Sequence, residues 1–258
     1  MEGGRKKIVG FSQLHNEHEK GNLENWFRCM NAVCDKIYIL DQASTDNSQE
    51  IYENEEKAVV VYGEINNFEN EISCKKLLLE RLLKNEPDAD WIFWMDGDTL
   101  LERRLLDRTQ LESLLDTDAD SISLGHLNMW RSKTHFRTDN KYDWLHQHGV
   151  ICFWKNKPGL HFKDQKGLHN EQFPKGITTC ARVPYVLIHM GFSTDKQILS
   201  RYDMYKSYGQ EGWALDRLIE EETLTLQKID LDLLPEWITL PKEDLPTSSL
   251  INRYGLHK

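Results

Sequence analysis

An α/β fold with a mostly parallel central sheet flanked by helices is what this chain of 258 residues predicts. Three observations carry the prediction. Short apolar runs and amphipathic segments alternate four times within about the first hundred residues, the apolar runs have strand rather than helix length, and polar clusters follow three of them. Such alternation implies right-handed helical crossovers over a covered sheet, with ligands bound at the carboxyl ends of the strands.

Taken in order, residues 7–14 (KIVGFSQL) read as a first buried strand and 15–20 as a charged loop. Leu23, Trp26, Phe27, Met30 and Val33 follow the i, i+3, i+4, i+7 pattern of a helix packed on a sheet over 23–34. A second strand covers 36–40 (KIYIL), and a polar turn covers 41–46. The next helix starts at Ser48, with Ser44, Thr45, Asp46 and Asn47 as cap candidates. A third strand (58–62, AVVVY), a leucine-rich helix (72–83) and a fourth strand (91–95, WIFWM) complete the regular part. Beyond it the pattern predicts a helix at 105–115, strands at 120–130, 149–154 and 183–189, and helices at 196–208 and 213–226. A polar, aromatic-rich loop fills 131–148, and three of the seven prolines fall after residue 230.

Composition excludes several classes. Hydrophobic residues at 39% and charged residues at 29% describe a globular chain rather than a disordered one. A formal charge of -10 and the lack of a large basic cluster argue against a nucleic-acid partner and against an anionic membrane surface. Five cysteines without a CxxC pair read as reduced thiols in a cytoplasmic chain. The polar amino terminus carries no signal-peptide core, and no run approaches the roughly 18 apolar residues of an integral membrane segment.

Chemistry is concentrated where strands end. Asp96-Gly97-Asp98 puts two carboxylates at i and i+2 directly after the fourth strand, where they can address one Mg²⁺ or Mn²⁺ together with substrate phosphate oxygens. A simple Asp/Gly turn is the competing reading. Asp41 at the end of the second strand can accept hydrogen bonds from a nucleobase or ribose, while Ser44 to Asp46 cap the following helix. The aromatic and basic residues of 130–148 suit either stacking on a sugar acceptor or core packing. His146 and His148 have no third partner at zinc-site spacing.

These segments carry a resemblance. Asp41-Gln42-Ala43-Ser44-Thr45-Asp46 resembles the Asp-Asp-Gly-Ser-Thr-Asp segment of family 2 glycosyltransferases, Asp96-Gly97-Asp98 resembles their DxD motif, and Asn16-Glu17 is similar to their Asn-Glu pair. About 25 residues separate the first two motifs and about 55 the second and third, as in that family. The likeness covers residues 7–102 well and the remainder more loosely. Gln42 departs from it, standing where the family usually has a second Asp.

The resemblance implies a GT-A (Rossmann-like) fold. It also implies a nucleotide-diphosphate sugar donor (UDP- or GDP-linked), Mn²⁺ or Mg²⁺ as cofactor, and inverting transfer to an acceptor hydroxyl on a glycan, lipid-linked molecule or protein. On this reading residues 1–230 form the glycosyltransferase domain, with a donor half to about 102 and an acceptor half to about 230, and 231–258 are an extension. Asp41 contacts the nucleoside, Asp96 the ribose and metal, and Asp98 the metal. His189, closing the strand VPYVLIH, supplies a third metal ligand, and His15, Glu17 and Lys75 complete the donor contacts. Glu171 in Gly167-Leu168-His169-Asn170-Glu171 resembles the family's base, although Asn170 interrupts its His-Glu pair; Asp164 and Asp143 are the alternatives. The helix bearing Arg201, Tyr202, Tyr205 and Lys206 either meets the diphosphate or is a solvated face. A phosphatase of the haloacid dehalogenase type does not fit, since Trp94 stands where its nucleophilic Asp is required. A non-catalytic nucleotide-sugar or glycan-binding module with the same fold is the rival from another class.

Overall fold

The computed structural model describes residues 4–165, 173–219 and 224–242. In chain order the elements are β1 (Ile8–Leu14), α1 (Leu23–Val33), β2 (Lys36–Asp41), α2 (Ser48–Glu53), β3 (Ala58–Tyr62), α3 (Glu71–Asn85), β4 (Trp91–Trp94), β5 (Thr99–Leu101) and α4 (Arg108–Leu115). They continue with β6 (Ser121–Asn128), β7 (His135–Arg137), α5 (Asn140–His148), β8 (Val150–Lys155), β9 (Cys180–His189), α6 (Asp195–Ser207), α7 (Trp213–Ile219) and β10 (Leu226–Lys228).

Eight strands form one sheet in the order β3-β2-β1-β4-β8-β6-β9-β5, and β7 and β10 pair separately. Four of its seven pairings are parallel: β1 with β2 and β4, β2 with β3, and β6 with β9. The expected α/β, Rossmann-like architecture is therefore present: a parallel half with flanking helices, extended by a mixed half.

Burial of both faces explains why β1, β2 and β4 are largely apolar, with alternate residues going to opposite sides. Ile8, Leu14, Ile37, Ile39, Trp91 and Phe93 pack on one face with α1, whereas Val9, Phe11, Tyr38, Leu40, Ile92 and Trp94 pack on the other with α3. Gly10 lets α1 approach the sheet: a Cβ there would lie 2.4 Å from Met30 Cε and 2.7 Å from Cys34 Sγ. Trp26 is buried on α1, and its indole N–H donates to the Met95 carbonyl at 3.2 Å, tying the helix to the residue before Asp96.

The second half departs from its expected elements. Residues 131–148 hold β7 and α5 rather than a loop, and β5 follows Asp98 almost at once. The helix expected over 213–226 ends its described part at Ile219, and Leu226–Lys228 is a strand against β7. Trp130, Tyr142, Phe192, Ile198, Tyr205, Leu218 and Ile219 form a third core where α5, α6 and α7 meet. Leu233, Leu234, Trp237 and Ile238 pack back on the main core. All five cysteines are free. Among the described residues no helix is long and apolar enough to cross a membrane.

Candidate active site

A cavity of about 1330 Å³ opens where β1, β2, β4 and β9 end. Its lining includes His15, Glu17, Gln42, Lys75, Asp96 and Asp98 from the first half of the chain, and His189 and Arg201 from the second.

Two left-handed residues turn the chain out of β1 and β2: Asn16 at φ 52 and Ala43 at φ 53. The two turns lock together. Asn16 N–H donates to Ser44 Oγ at 2.9 Å, Thr45 N–H donates to Asn16 Oδ1 at 2.7 Å, and His15 Nδ1 donates to the Gln42 carbonyl at 2.8 Å. Glu17 is held by Lys20 Nζ at 2.7 Å and Asn22 Nδ2 at 2.8 Å. Gly97 lies against it, since a Cβ at that position would be 2.8 Å from Glu17 Cγ.

Asp41 and Gln42 divide their work in a way the sequence did not reveal. Asp41 is fully buried and is not part of the lining; it accepts from Ser44 N–H at 3.1 Å, Gln49 Nε2 at 3.4 Å and Tyr52 OH at 3.4 Å. Gln42 is 3% exposed and does line the cavity. Its Oε1 accepts from Asn67 N–H at 3.0 Å and from the Cys74 thiol at 3.7 Å, which leaves the Nε2 donor toward the cavity. Lys75, 1% exposed on α3, pairs with Glu71 and sits 4.8 Å from the Trp94 ring.

The charged corner is made by strand pairing. β5 runs antiparallel to β9 with Thr99 opposite His189, and Met190 N–H donates to the Asp98 carbonyl at 2.7 Å. This register brings His189 Nε2 within 3.3 Å of Asp98 Oδ2, the oxygen that Arg201 Nη2 also reaches, at 2.5 Å. Gly191 makes room for the cluster: a Cβ there would stand 2.3 Å from Asp98 Oδ2, 2.6 Å from Arg201 Nη2 and 2.8 Å from His189 Cε1. Burial alone would push Asp98 up, but the His189 and Arg201 charges outweigh it and hold its carboxyl well below the usual range. Asp96 is open to the cavity yet walled by protein; this enclosure, followed by the Asp98 charge, raises it to about 6. His126 on β6, its ring 5.3 Å from that of His189, is lowered to about 3 by burial and then by His189.

Glu171, the expected base, lies outside the described residues. Neither alternative lines the cavity: Asp164 is 95% exposed and paired with Lys76, and Asp143 accepts from Gln147 Nε2 at 2.7 Å. The aromatic segment is split between core and cavity wall. Trp130 and Tyr142 are core, Tyr142 also reaching the cavity lining, whereas Trp144, 54% exposed, stacks on His148 at 5.0 Å and lines the cavity with it.

No protein-family model matches the chain, and no curated protein sequence matches it. Solved structures show distant likenesses. One is a glucosyl-3-phosphoglycerate synthase from Mycobacterium tuberculosis in complex with Mn²⁺, UDP and glucosyl-3-phosphoglycerate; it is 15% identical at a TM-score of 0.31, over 47% of this chain and 44% of that one. The chain thus matches less than half the length of that synthase. A mycobacterial protein is 14% identical at a TM-score of 0.44, over 80% of this chain and 76% of its own. A 4-diphosphocytidyl-2C-methyl-D-erythritol synthase from Anaerococcus prevotii is 15% identical at a TM-score of 0.31, over 84% and 82%. Likenesses at this level carry no argument about activity.

Proposed function

We propose that the chain is a metal-dependent glycosyltransferase, moving a sugar from a nucleotide-diphosphate donor to an acceptor hydroxyl. The observation that carries this reading is convergence. Three polar strand ends, the acidic Asp96/Asp98 pair, His189 and the buried Lys75 face one cavity large enough for a donor and an acceptor.

The corner suits a hard divalent cation. Among the described residues no ready-made cluster of three or more His, Cys, Asp and Glu ligands exists. A Mg²⁺ or Mn²⁺ site that shares its shell with phosphate and water needs only one or two carboxylates. Asp98 and His189 would hold the ion with Asp96 beside them, at the corner that packs against Gly191. Bound there, the ion would supply Lewis-acid neutralisation of the departing diphosphate.

The chain's own residues do the remaining work. His15 and the Gln42 amide N–H address the nucleoside, and Lys75 offers a desolvated ammonium to the diphosphate. Trp144 and His148 form an apolar and hydrogen-bonding wall for the acceptor. Glu171 is assigned as the base that takes the acceptor proton, with inversion by single displacement; both follow from the family resemblance. The test is nucleoside diphosphate release from a panel of nucleotide sugars with Mn²⁺ or Mg²⁺. Asp98→Ala should lose activity and metal-dependent donor binding, and Glu171→Ala should lose activity while still binding donor. Wild-type turnover in Asp98→Ala would sink this reading. Donor binding without turnover, whatever acceptor is supplied, would favour the non-catalytic module.

A further inference from the structure

Arg201 stands where a charged residue is costly. On α6 it lies three residues after Ile198 and four before Tyr205, the two residues that helix buries, so it shares their inward stripe. A capping box between Thr194 and Gln197 fixes the start of the helix and therefore this orientation. The guanidinium lies over the Phe192 ring at 4.8 Å and ends on Asp98 Oδ2. The side chain is only 24% exposed, and partial withdrawal of a guanidinium from water is unfavourable unless an opposite charge offsets it; Asp98 supplies that charge.

The same Oδ2 faces His189 Nε2, so Arg201 holds a carboxylate oxygen in the corner to which the donor-site reading assigns a metal ion. Two cations crowding one carboxylate oxygen repel each other. A diphosphate entering the cavity offers Arg201 an alternative, because guanidinium and phosphate pair bidentately. Resting on the donor-site reading, we propose that Arg201 is a resident counter-ion. It neutralises Asp98 until a metal ion binds, and then passes from that carboxylate to the donor diphosphate. Metal and nucleotide then bind cooperatively, since each removes the obstacle to the other.

The experiment is a Mn²⁺ titration of the folded protein followed by electron paramagnetic resonance, with and without UDP as the probe nucleotide. Wild type, Arg201→Met, Arg201→Lys and Asp98→Asn are compared. Without UDP, Arg201→Met should bind Mn²⁺ at least about tenfold more tightly than wild type, the equivalent of one charge-assisted hydrogen bond removed. Arg201→Lys keeps the charge and should stay near wild type. UDP should tighten Mn²⁺ binding in wild type far more than in Arg201→Met, a difference that a purely structural role would not produce. Equal or weaker Mn²⁺ binding in Arg201→Met, with Asp98→Asn still abolishing it, overturns the counter-ion and leaves the donor-site reading standing. Absence of Mn²⁺ binding in wild type and Arg201→Met alike, with or without UDP, overturns both.

Discussion

Adding one methyl group at Gly191 should disable the charged corner. Its φ lies outside the left-handed region, so alanine costs no backbone strain and the effect is purely steric. The new Cβ would sit 2.3 Å from Asp98 Oδ2, 2.6 Å from Arg201 Nη2 and 2.8 Å from His189 Cε1, against ordinary contacts of about 3.5 Å. Relief requires Asp98 Oδ2 to retreat by roughly 1 Å, out of its contacts with His189 and Arg201. Overpacking of this kind costs about 1–3 kcal/mol, and a shift of about 1 Å in a positioned group lowers function by about a hundredfold. Gly191→Ala should therefore melt several degrees lower, at roughly 2–4 °C per kcal/mol, and lose about two orders of magnitude in nucleoside diphosphate release. Gly4→Ala is the control, because a Cβ there meets nothing within 4 Å. A Gly191→Ala protein that melts and turns over like wild type would refute the packing of Asp98, His189 and Arg201 around that glycine.

Three further outcomes are expected. Ala43 occupies the left-handed region at φ 53, which costs an alanine about 1–2 kcal/mol, so Ala43→Gly should gain roughly 0.5–1 kcal/mol after the added unfolded-state entropy; an unchanged or lower denaturant midpoint contradicts this. Gln42→Leu removes the cavity-facing amide donor and leaves Asn67 N–H unpaired, so nucleoside diphosphate binding by calorimetry should weaken about tenfold or more; equal affinity would exclude Gln42 from nucleoside recognition. A folded chain should give one fast-reacting thiol at pH 8: Cys180 is exposed, whereas burial pushes Cys29 up to about 12 and leaves about one thiolate in ten thousand. Several fast thiols in a Cys180→Ser variant would contradict the buried placement of the other four.

How much of this was legible in the sequence depended on where the determining contacts lie. β1, β2 and β4 could be read because both of their faces are buried, so every residue from Ile37 to Leu40 is apolar whatever the partner strand. α5 could not, because its surface is largely polar and Trp144 is exposed; Asp139 before it and the left-handed Gly149 after it were the available signals. β5 has three residues and exists only through its pairing with β9.

The site followed the same division. Asp96-Gly97-Asp98 is visible as a motif because its position after a buried strand is local information. Which carboxylate faces which cation is not local, since it is set by the register that places Thr99 opposite His189, some ninety residues away. Asp41 and Gln42 illustrate the point at the smallest scale: adjacent residues, of which the turn at Ala43 buries one and presents the other. Arg201 was half legible, as an arginine set between Ile198 and Tyr205 on an otherwise apolar helical stripe. A charge in such a position needs a buried partner of opposite sign, and a strand-end motif with two carboxylates was the natural place to look for it.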